Sequence, residues 1–149
     1  MPYKNVLYSF CETFIRDRSD RILGQIASLE QDLSSETKSS AGDKYETGRS
    51  MIQLEREKLG DRLMEAQLLW ERFKKVPLIT ATDRIGPGSV VYTTGYNYYL
   101  GISAGEIKID GLSFYAIAPD TPIGKLLLGK VVGERIIFHA QEFWIREIG

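Results

Sequence analysis

The sequence predicts an α+β protein, in which an N-terminal antiparallel coiled-coil hairpin of helices precedes a small antiparallel β domain with one short helix. Three observations predict this class: composition changes near residue 76, apolar residues before it recur at helical spacing, and short alternating runs follow it. Residues 1–76 hold 13 basic and 13 acidic residues with 4 Gly, whereas residues 77–149 hold 6 basic and 7 acidic residues with 10 Gly. We therefore expect a hairpin domain over 1–76 and a β domain over 77–149.

The two helices of the hairpin are predicted by two apolar series whose steps of three, four and seven residues are typical of a coiled-coil seam. The first series is Tyr8, Cys11, Ile15, Ile22, Ile26, Leu29 and Leu33, and the second is Ile52, Arg56, Leu59, Leu63, Ala66, Trp70 and Phe73. A stretch rich in Ser, Thr and Lys over residues 34–49 separates the two series and predicts the turn. Arms of roughly 30 residues would each be about 45 Å long.

Two carboxylates within this turn, Asp43 and Glu46, are spaced i, i+3. If Asp43 opens the second helix, both carboxylates lie on one face of its first turn. One interpretation is a capping box, in which the two side chains satisfy backbone N–H groups at the helix start. The other is that a pair of carboxylates at the end of a long arm lends oxygen ligands to Mg²⁺ in the active site of a partner.

Short alternating runs bounded by glycines predict six strands in the second half. The predicted strands are 89–94, 98–103, 105–109, 113–117, 135–140 and 142–148. A short helix is expected to begin near Pro122, a good first-turn residue, and to end by Gly129.

Several single residues allow a functional interpretation beside a structural one. Tyr92, Tyr96, Tyr98 and Tyr99 could form a stacking platform for single-stranded nucleic acid, but without interleaved Lys or Arg strand packing is favoured. His139 has no partner at ligand spacing and is interpreted as an ordinary strand histidine. Cys11 lies in the helix seam, where burial is favoured over nucleophilic chemistry.

Composition excludes several classes of protein. A formal charge of −1 argues against tight binding to free nucleic acid. One cysteine excludes an intrachain disulfide framework and fits a reducing cytoplasm, and neither a signal-peptide core nor an apolar run of about 20 residues is present. Without a phosphate-binding loop, a His-Glu-x-x-His motif or a nucleophile elbow, the chain offers no active site of its own. We expect a cytoplasmic, non-enzymatic and monomeric protein that does not bind membranes and has no cofactor of its own.

Two patches resemble one family, the bacterial Gre transcript-cleavage factors (GreA and GreB). The first is Gly42-Asp43-Lys44-Tyr45-Glu46 at the predicted hairpin turn, and the second is the stretch from Ala118 to Lys130 followed by Val131-Val132-Gly133-Glu134. The second patch is similar to the C-terminal signature of the family. The resemblance implies a coiled-coil hairpin followed by an FKBP-like domain.

The resemblance also implies a function. Members of the family dock on bacterial RNA polymerase at the rim of its secondary channel and extend the coiled coil into the channel. Acidic residues at the tip then help to hold a transient Mg²⁺ of the polymerase, which hydrolyses the RNA of backtracked complexes. By position, Asp43 and Glu46 match that acidic tip pair, and Asp120, Thr121 and Pro122 match the docking element. The nascent RNA 3′ end is expected as a partner only within the complex.

Two alternatives to cleavage stimulation remain open, and so does the role of a set of basic residues. Typical cleavage factors have Asn directly after the Glu of the pair, whereas Thr47 and Gly48 follow Glu46 here, which leaves a non-cleaving regulator or inhibitor in the same channel as an alternative. A prolyl isomerase built on the FKBP-like half would need an aromatic-lined pocket, which no motif of the sequence defines. The basic residues could contact RNA or simply form a solvated helix face; they are Arg16, Arg18, Arg21, Lys44 and Arg49.

Overall fold

The computed structural model describes the backbone of residues 3–38 and 42–149 and the side chains of residues 3–35 and 48–149. The chain divides into two compact units, Ile15–Trp70 and a second unit that joins Met1–Phe14 to Glu71–Gly149. The beginning of the first helix and the end of the second helix thus pack with the β domain. The predicted domain boundary at residues 76 and 77 stays a prediction, because this packing does not decide which part folds on its own.

Two long helices form the first half of the chain. They are α1 (Lys4–Lys38) and α2 (Gly42–Lys74). Within the unit Ile15–Trp70, Ile22 of α1 is buried with Leu59 and Ala66 of α2. Half-buried seam residues extend this small core, namely Ile26, Leu29 and Leu63. The predicted helical hairpin and its apolar seam are therefore confirmed.

The second half contains six strands in one sheet and one short helix. The elements are β1 (Val90–Thr93), β2 (Asn97–Leu100), β3 (Gly105–Ile109), β4 (Leu112–Ile117), α3 (Pro122–Leu127), β5 (Arg135–Phe138) and β6 (Gln141–Ile148). The strand order is β3-β4-β2-β1-β6-β5. The α+β class and the short helix at Pro122 are thus confirmed.

One strand pair departs from the antiparallel sheet that the sequence predicts. β2 and β4 pair in parallel, whereas the other neighbouring strands are antiparallel. The strand order gives the reason. β3 lies at the edge of the sheet, and β4 lies between β3 and β2. Because β4 runs antiparallel to β3, it runs in the same direction as β2. The sheet is therefore mixed.

The sheet packs apolar side chains on both faces. On one face, Tyr98, Phe143 and Ile145 join Ile123 and Leu127 of α3 in one apolar core, in which each of these side chains is buried. Such burial of large apolar side chains contributes roughly 1.5–3 kcal/mol each.

The opposite face contacts the N-terminal residues of the same unit. The ring of Tyr3 lies 5.5 Å from that of Phe114, which Tyr92 meets edge-on at 5.8 Å. Tyr99 is fully buried, and because Tyr98 and Tyr99 are consecutive strand residues they point to opposite faces. The four tyrosines cannot form one stacking platform, so strand packing is the correct interpretation.

Two tight turns connect the antiparallel pairs at the edges of the sheet. Asp110-Gly111 joins β3 to β4 and His139-Ala140 joins β5 to β6, each with both residues at positive φ. The prediction that His139 lies in a strand was wrong. The hairpin needs a two-residue turn of left-handed backbone there, which matches the twist of the flanking strands.

Candidate functional site

The acidic pair of the hairpin turn falls at the start of α2. Because α1 ends at Lys38 and α2 begins at Gly42, Asp43 and Glu46 belong to the first two turns of the second helix. Their side chains lie outside the described residues, as does that of Lys44. The structure therefore gives their position along the chain, and their role as metal ligands stays a prediction.

Most charged side chains in the described part of the two helices are exposed, whereas Lys4 at the start of α1 is buried. Arg56 Nη2 donates to Glu30 Oε1 at 2.9 Å across the two helices, with both side chains about half exposed. Such an exposed pair contributes at most about 1 kcal/mol. The predicted basic set is likewise solvent-exposed where it is described, namely at Arg16, Arg18, Arg21 and Arg49. Exposure fits both a solvated face and contact with RNA, so neither interpretation is selected.

The predicted docking element is a rigid loop built around Thr121. This residue is the N-cap of α3: its hydroxyl donates to the carbonyl of Ala118 at 2.7 Å and accepts from the N–H of Gly124 at 3.2 Å. Pro122 occupies the first turn, where its missing N–H is not needed. The structure thus brings Asp120, Thr121 and Pro122 together, with Asp120 and Pro122 exposed and Thr121 half-buried.

Gly124 explains why this loop and α3 pack so closely. A Cβ built at this position would lie 2.4 Å from the carbonyl oxygen of Ala118 and 2.8 Å from that of Pro119. Both atoms are backbone, so no side-chain rotation can relieve the contact. Only glycine fits here without a shift of the loop.

The stretch that follows α3 is held by the connector between the two halves. The N–H of Ile85 donates to the carbonyl of Lys130 at 2.9 Å, and the N–H of Gly129 donates to the carbonyl of Ile85 at 2.8 Å. Arg84 Nη1 donates to the carbonyl of Gly129 at 2.7 Å. Glu134 accepts from the N–H of Val131 at 2.7 Å. Several residues of the second sequence patch are therefore explained by local structure alone.

Other residues of that patch are exposed. Along α3, Ile123 and Leu127 are buried, whereas Lys125 and Leu126 face solvent beside Pro122. Leu128 and Val132 add further exposed apolar surface. Asp120, Lys125 and these exposed aliphatic side chains are the part of the patch that local packing does not explain.

Cys11 has no environment for chemistry. Its side chain is fully buried, and burial raises the pKa of the thiol to about 12. The thiolate is the nucleophilic form, so a thiol with a raised pKa is inert at neutral pH. The structural interpretation made from the seam position is confirmed.

The described residues contain neither a metal cluster nor a membrane span. Within side chains 3–35 and 48–149, no three His, Cys, Asp or Glu residues converge in a way that could hold a metal ion. Among the described helices, none is long and apolar enough to cross a bilayer.

A feature that the sequence reasoning missed is an aromatic groove of about 480 Å³ in the β domain. The groove is lined chiefly by Tyr96, Tyr98, Phe138, Gln141, Glu142 and Phe143. These residues come from β2, the end of β5, the start of β6 and the turn before β2. Their convergence depends on the pairing of β1 with both β2 and β6, which spacing along the chain does not reveal.

Comparison with solved structures shows a likeness to a known protein. The chain is similar to the crystal structure of GreA factor homolog 1 (Gfh1) of Thermus thermophilus, with 21% identity and a TM-score of 0.36 over 88% of this chain and 94% of that chain. No family model matches the sequence, and no curated protein matches it. A likeness at this level assigns no activity and no partner.

Proposed function

We propose that the chain is a Gre-type transcription factor that binds bacterial RNA polymerase at its secondary channel and stimulates RNA hydrolysis in backtracked complexes. The observation that carries this proposal is the position of Asp43 and Glu46 at the start of α2, in a hairpin whose two helices have 35 and 33 residues. At about 1.5 Å per residue, either helix is on the order of 50 Å long. Such an arm can carry the pair far into a channel.

The chemistry of the pair suits an active site that already holds metal. Carboxylate oxygens are the ligands that Mg²⁺ prefers, and Mg²⁺ bound to phosphate and water activates that water for attack. A weakly held Mg²⁺ gains occupancy when two further carboxylates approach it. Hydrolysis therefore belongs to the polymerase, while this chain supplies Asp43 and Glu46 and is not an enzyme by itself.

The exposed loop at the start of α3 is the proposed docking element. Asp120 and Pro122 are held in place by the Thr121 cap and by the close packing at Gly124, so little conformational entropy is lost on binding. Docking through this loop would make delivery of the distant carboxylates effectively intramolecular.

Cleavage of RNA in purified backtracked complexes tests the tip. Addition of the wild-type chain should shorten the RNA from its 3′ end, and Asp43→Asn and Glu46→Gln should each abolish most of the stimulation without weakening polymerase binding. Asp61→Asn is the matched control, because Asp61 is an exposed aspartate of the same helix far from its start. Equal stimulation by Asp43→Asn and Asp61→Asn would refute the assignment of the tip.

Polymerase affinity tests the docking loop separately. Asp120→Ala and Pro122→Ala should each weaken binding by about tenfold, equivalent to about 1.4 kcal/mol. Asp83→Ala, at another exposed position of the same unit, should leave affinity unchanged. Unchanged affinity in both loop variants would exclude docking by this loop.

A second candidate is a factor that occupies the channel without stimulating cleavage. The residues Thr47 and Gly48 after Glu46 favour it, because typical cleavage factors have Asn directly after the Glu. Slowed elongation and competition with a genuine cleavage factor, without any RNA shortening, would select this candidate over the first.

A further inference from the structure

We propose that the aromatic groove of the β domain binds an arginine side chain presented by a partner protein. The groove has a nearly buried floor, since Tyr98 and Phe143 are only 7% and 6% exposed with ring centroids 6.1 Å apart. Tyr96, which is 52% exposed, and Phe138 form its walls. Aromatic ring faces carry negative electrostatic potential and attract a cation placed over them.

The polar groups of the groove select the sign of the ligand. Glu142, Gln141 and His139 line it together with the rings, and no Lys or Arg is among its lining residues in the described part of the chain. A carboxylate beside aromatic rings favours a cation over a neutral or anionic group. The groove is therefore complementary in charge to a basic side chain.

Contact with Arg135 shows that this carboxylate accepts a guanidinium. Arg135 Nη1 donates to Glu142 Oε1 at 3.4 Å, and the side chains of the pair are 57% and 43% exposed. An exposed pair of this kind contributes at most about 1 kcal/mol, so an incoming arginine can share or replace the contact. A planar guanidinium can also stack on the tyrosine and phenylalanine rings while donating to the carboxylate, which favours arginine over lysine.

The walls of the groove are held rigidly before any ligand binds. The turn before β2 is fixed by Thr93, whose hydroxyl donates to the carbonyl of Tyr96 and accepts from the N–H of Gly95 at 2.9 Å. Tyr115 packs edge-on against Tyr96 at 5.0 Å, and its own hydroxyl donates to Glu106 at 2.9 Å. Preorganised walls lower the entropic cost of binding.

The opposite rim is set by the turn between β5 and β6. His139 and Ala140 have φ values of 50° and 63°, which residues other than glycine adopt at a cost. This backbone places the ring of His139 against that of Phe138, with centroids 4.0 Å apart. The two-residue turn therefore fixes the position of this rim.

Titration of the ¹⁵N-labelled full chain with blocked tripeptides tests the proposal. The probe is acetyl-Gly-Arg-Gly-amide, and counterparts with citrulline, lysine or proline in the middle serve as comparisons. We expect saturable shifts confined to the amides of residues 95–98 and 138–143, with millimolar affinity for the arginine peptide. Citrulline keeps the shape of arginine but lacks its charge, so it should bind at least about fivefold more weakly.

Variants of the chain separate the charge from the rings. Glu142→Gln and Tyr96→Leu should each lower the affinity for the arginine peptide by about fivefold or more. Glu147→Gln is the matched control, since Glu147 is also an exposed glutamate of β6 but does not line this groove. Unchanged amide spectra outside the groove would verify folding of each variant.

The outcomes decide between ligand classes. Equal shifts with the arginine and citrulline peptides, tighter binding of the proline peptide, or no saturable shift with any peptide would overturn the proposal. Tighter proline binding would instead favour a prolyl-peptide site. The experiment contains no polymerase, so its result is independent of the proposed transcription function.

Discussion

Substitution of Gly124 by alanine probes the packing that holds the proposed docking loop. The added Cβ would lie 2.4 Å from the Ala118 oxygen, 2.8 Å from the Pro119 oxygen and 2.9 Å from the Pro119 carbonyl carbon. All three atoms are backbone, so the loop itself must move. A shift would also lengthen the hydrogen bond from the Gly124 N–H to Thr121 Oγ1, which is already 3.2 Å.

The expected cost follows from two destabilising effects and one stabilising effect. Overpacking of a close-packed site costs about 1–3 kcal/mol, and the rigid backbone neighbours put Gly124→Ala at the upper end of that range. Loss of part of the Thr121 cap costs about 1 kcal/mol more, whereas exchange of a helical glycine for alanine returns about 1 kcal/mol. The net destabilisation is therefore about 3 kcal/mol, which lowers the melting temperature by roughly 6–12 °C for a chain of this size.

Thermal unfolding followed by fluorescence and near-ultraviolet circular dichroism measures this effect. Gly60→Ala is the matched control, because a Cβ at this exposed helical position of α2 meets nothing within 4 Å. The control should gain about 1 kcal/mol of stability. A Gly124→Ala protein that melts at or above the wild-type temperature would refute the assignment of Gly124 as a close-approach residue.

Three further predictions concern the turns, the buried thiol and the surface charges. Ala140→Gly should stabilise the chain and Gly111→Ala should destabilise it, each by about 1 kcal/mol in denaturant unfolding, because φ is positive at both positions. Stability changes of the opposite sign would contradict the turn assignment. The pKa of the Cys11 thiol is about 12 in the folded chain and about 8.5 in the unfolded chain, so its contribution to stability is complete below about pH 8.5 and falls as the pH rises towards 12. The Cys11→Ala protein should therefore lose less stability at alkaline pH than the wild type. An identical pH dependence of the two proteins would contradict this. A double-mutant cycle on Arg56→Ala and Glu30→Ala should give a coupling of about 0.5 kcal/mol that disappears in high salt, whereas more than about 2 kcal/mol would contradict the exposed geometry.

The hairpin could be predicted from sequence because its information is local. A seam of Ile22, Leu59 and Ala66 with its neighbours repeats at helical spacing, and each of these residues is buried where the pattern placed it. The start of α3 could be predicted in the same way, since Thr121 and Pro122 are typical of a helix N-terminus. In both cases the residues of one continuous segment were sufficient to predict the element.

The sheet order and the groove could not be predicted because they depend on contacts between distant segments. Nothing in the spacing indicates that β4 enters beside β2 and makes the sheet mixed. His139 was assigned to a strand because the apolar run before it continues without Gly or Pro, and the sequence lacks the Asn-Gly or Asp-Gly signal of a two-residue turn. Tyr96 and Phe143 meet in the groove only because β1 pairs with both β2 and β6.

The central claim is that the start of α2 enters the active centre of RNA polymerase. When Fe²⁺ replaces the active-site Mg²⁺ of the polymerase and hydrogen peroxide is added, the peroxide oxidises Fe²⁺ to Fe³⁺ and is itself reduced to hydroxide and a hydroxyl radical, which cleaves any polypeptide held close to the metal. End-labelled wild-type chain bound to the polymerase should be cut around residues 42–46, and Asp120→Ala should reduce the cutting in proportion to its lower affinity. Bound chain that is cut elsewhere, or not cut at all, would contradict the claim.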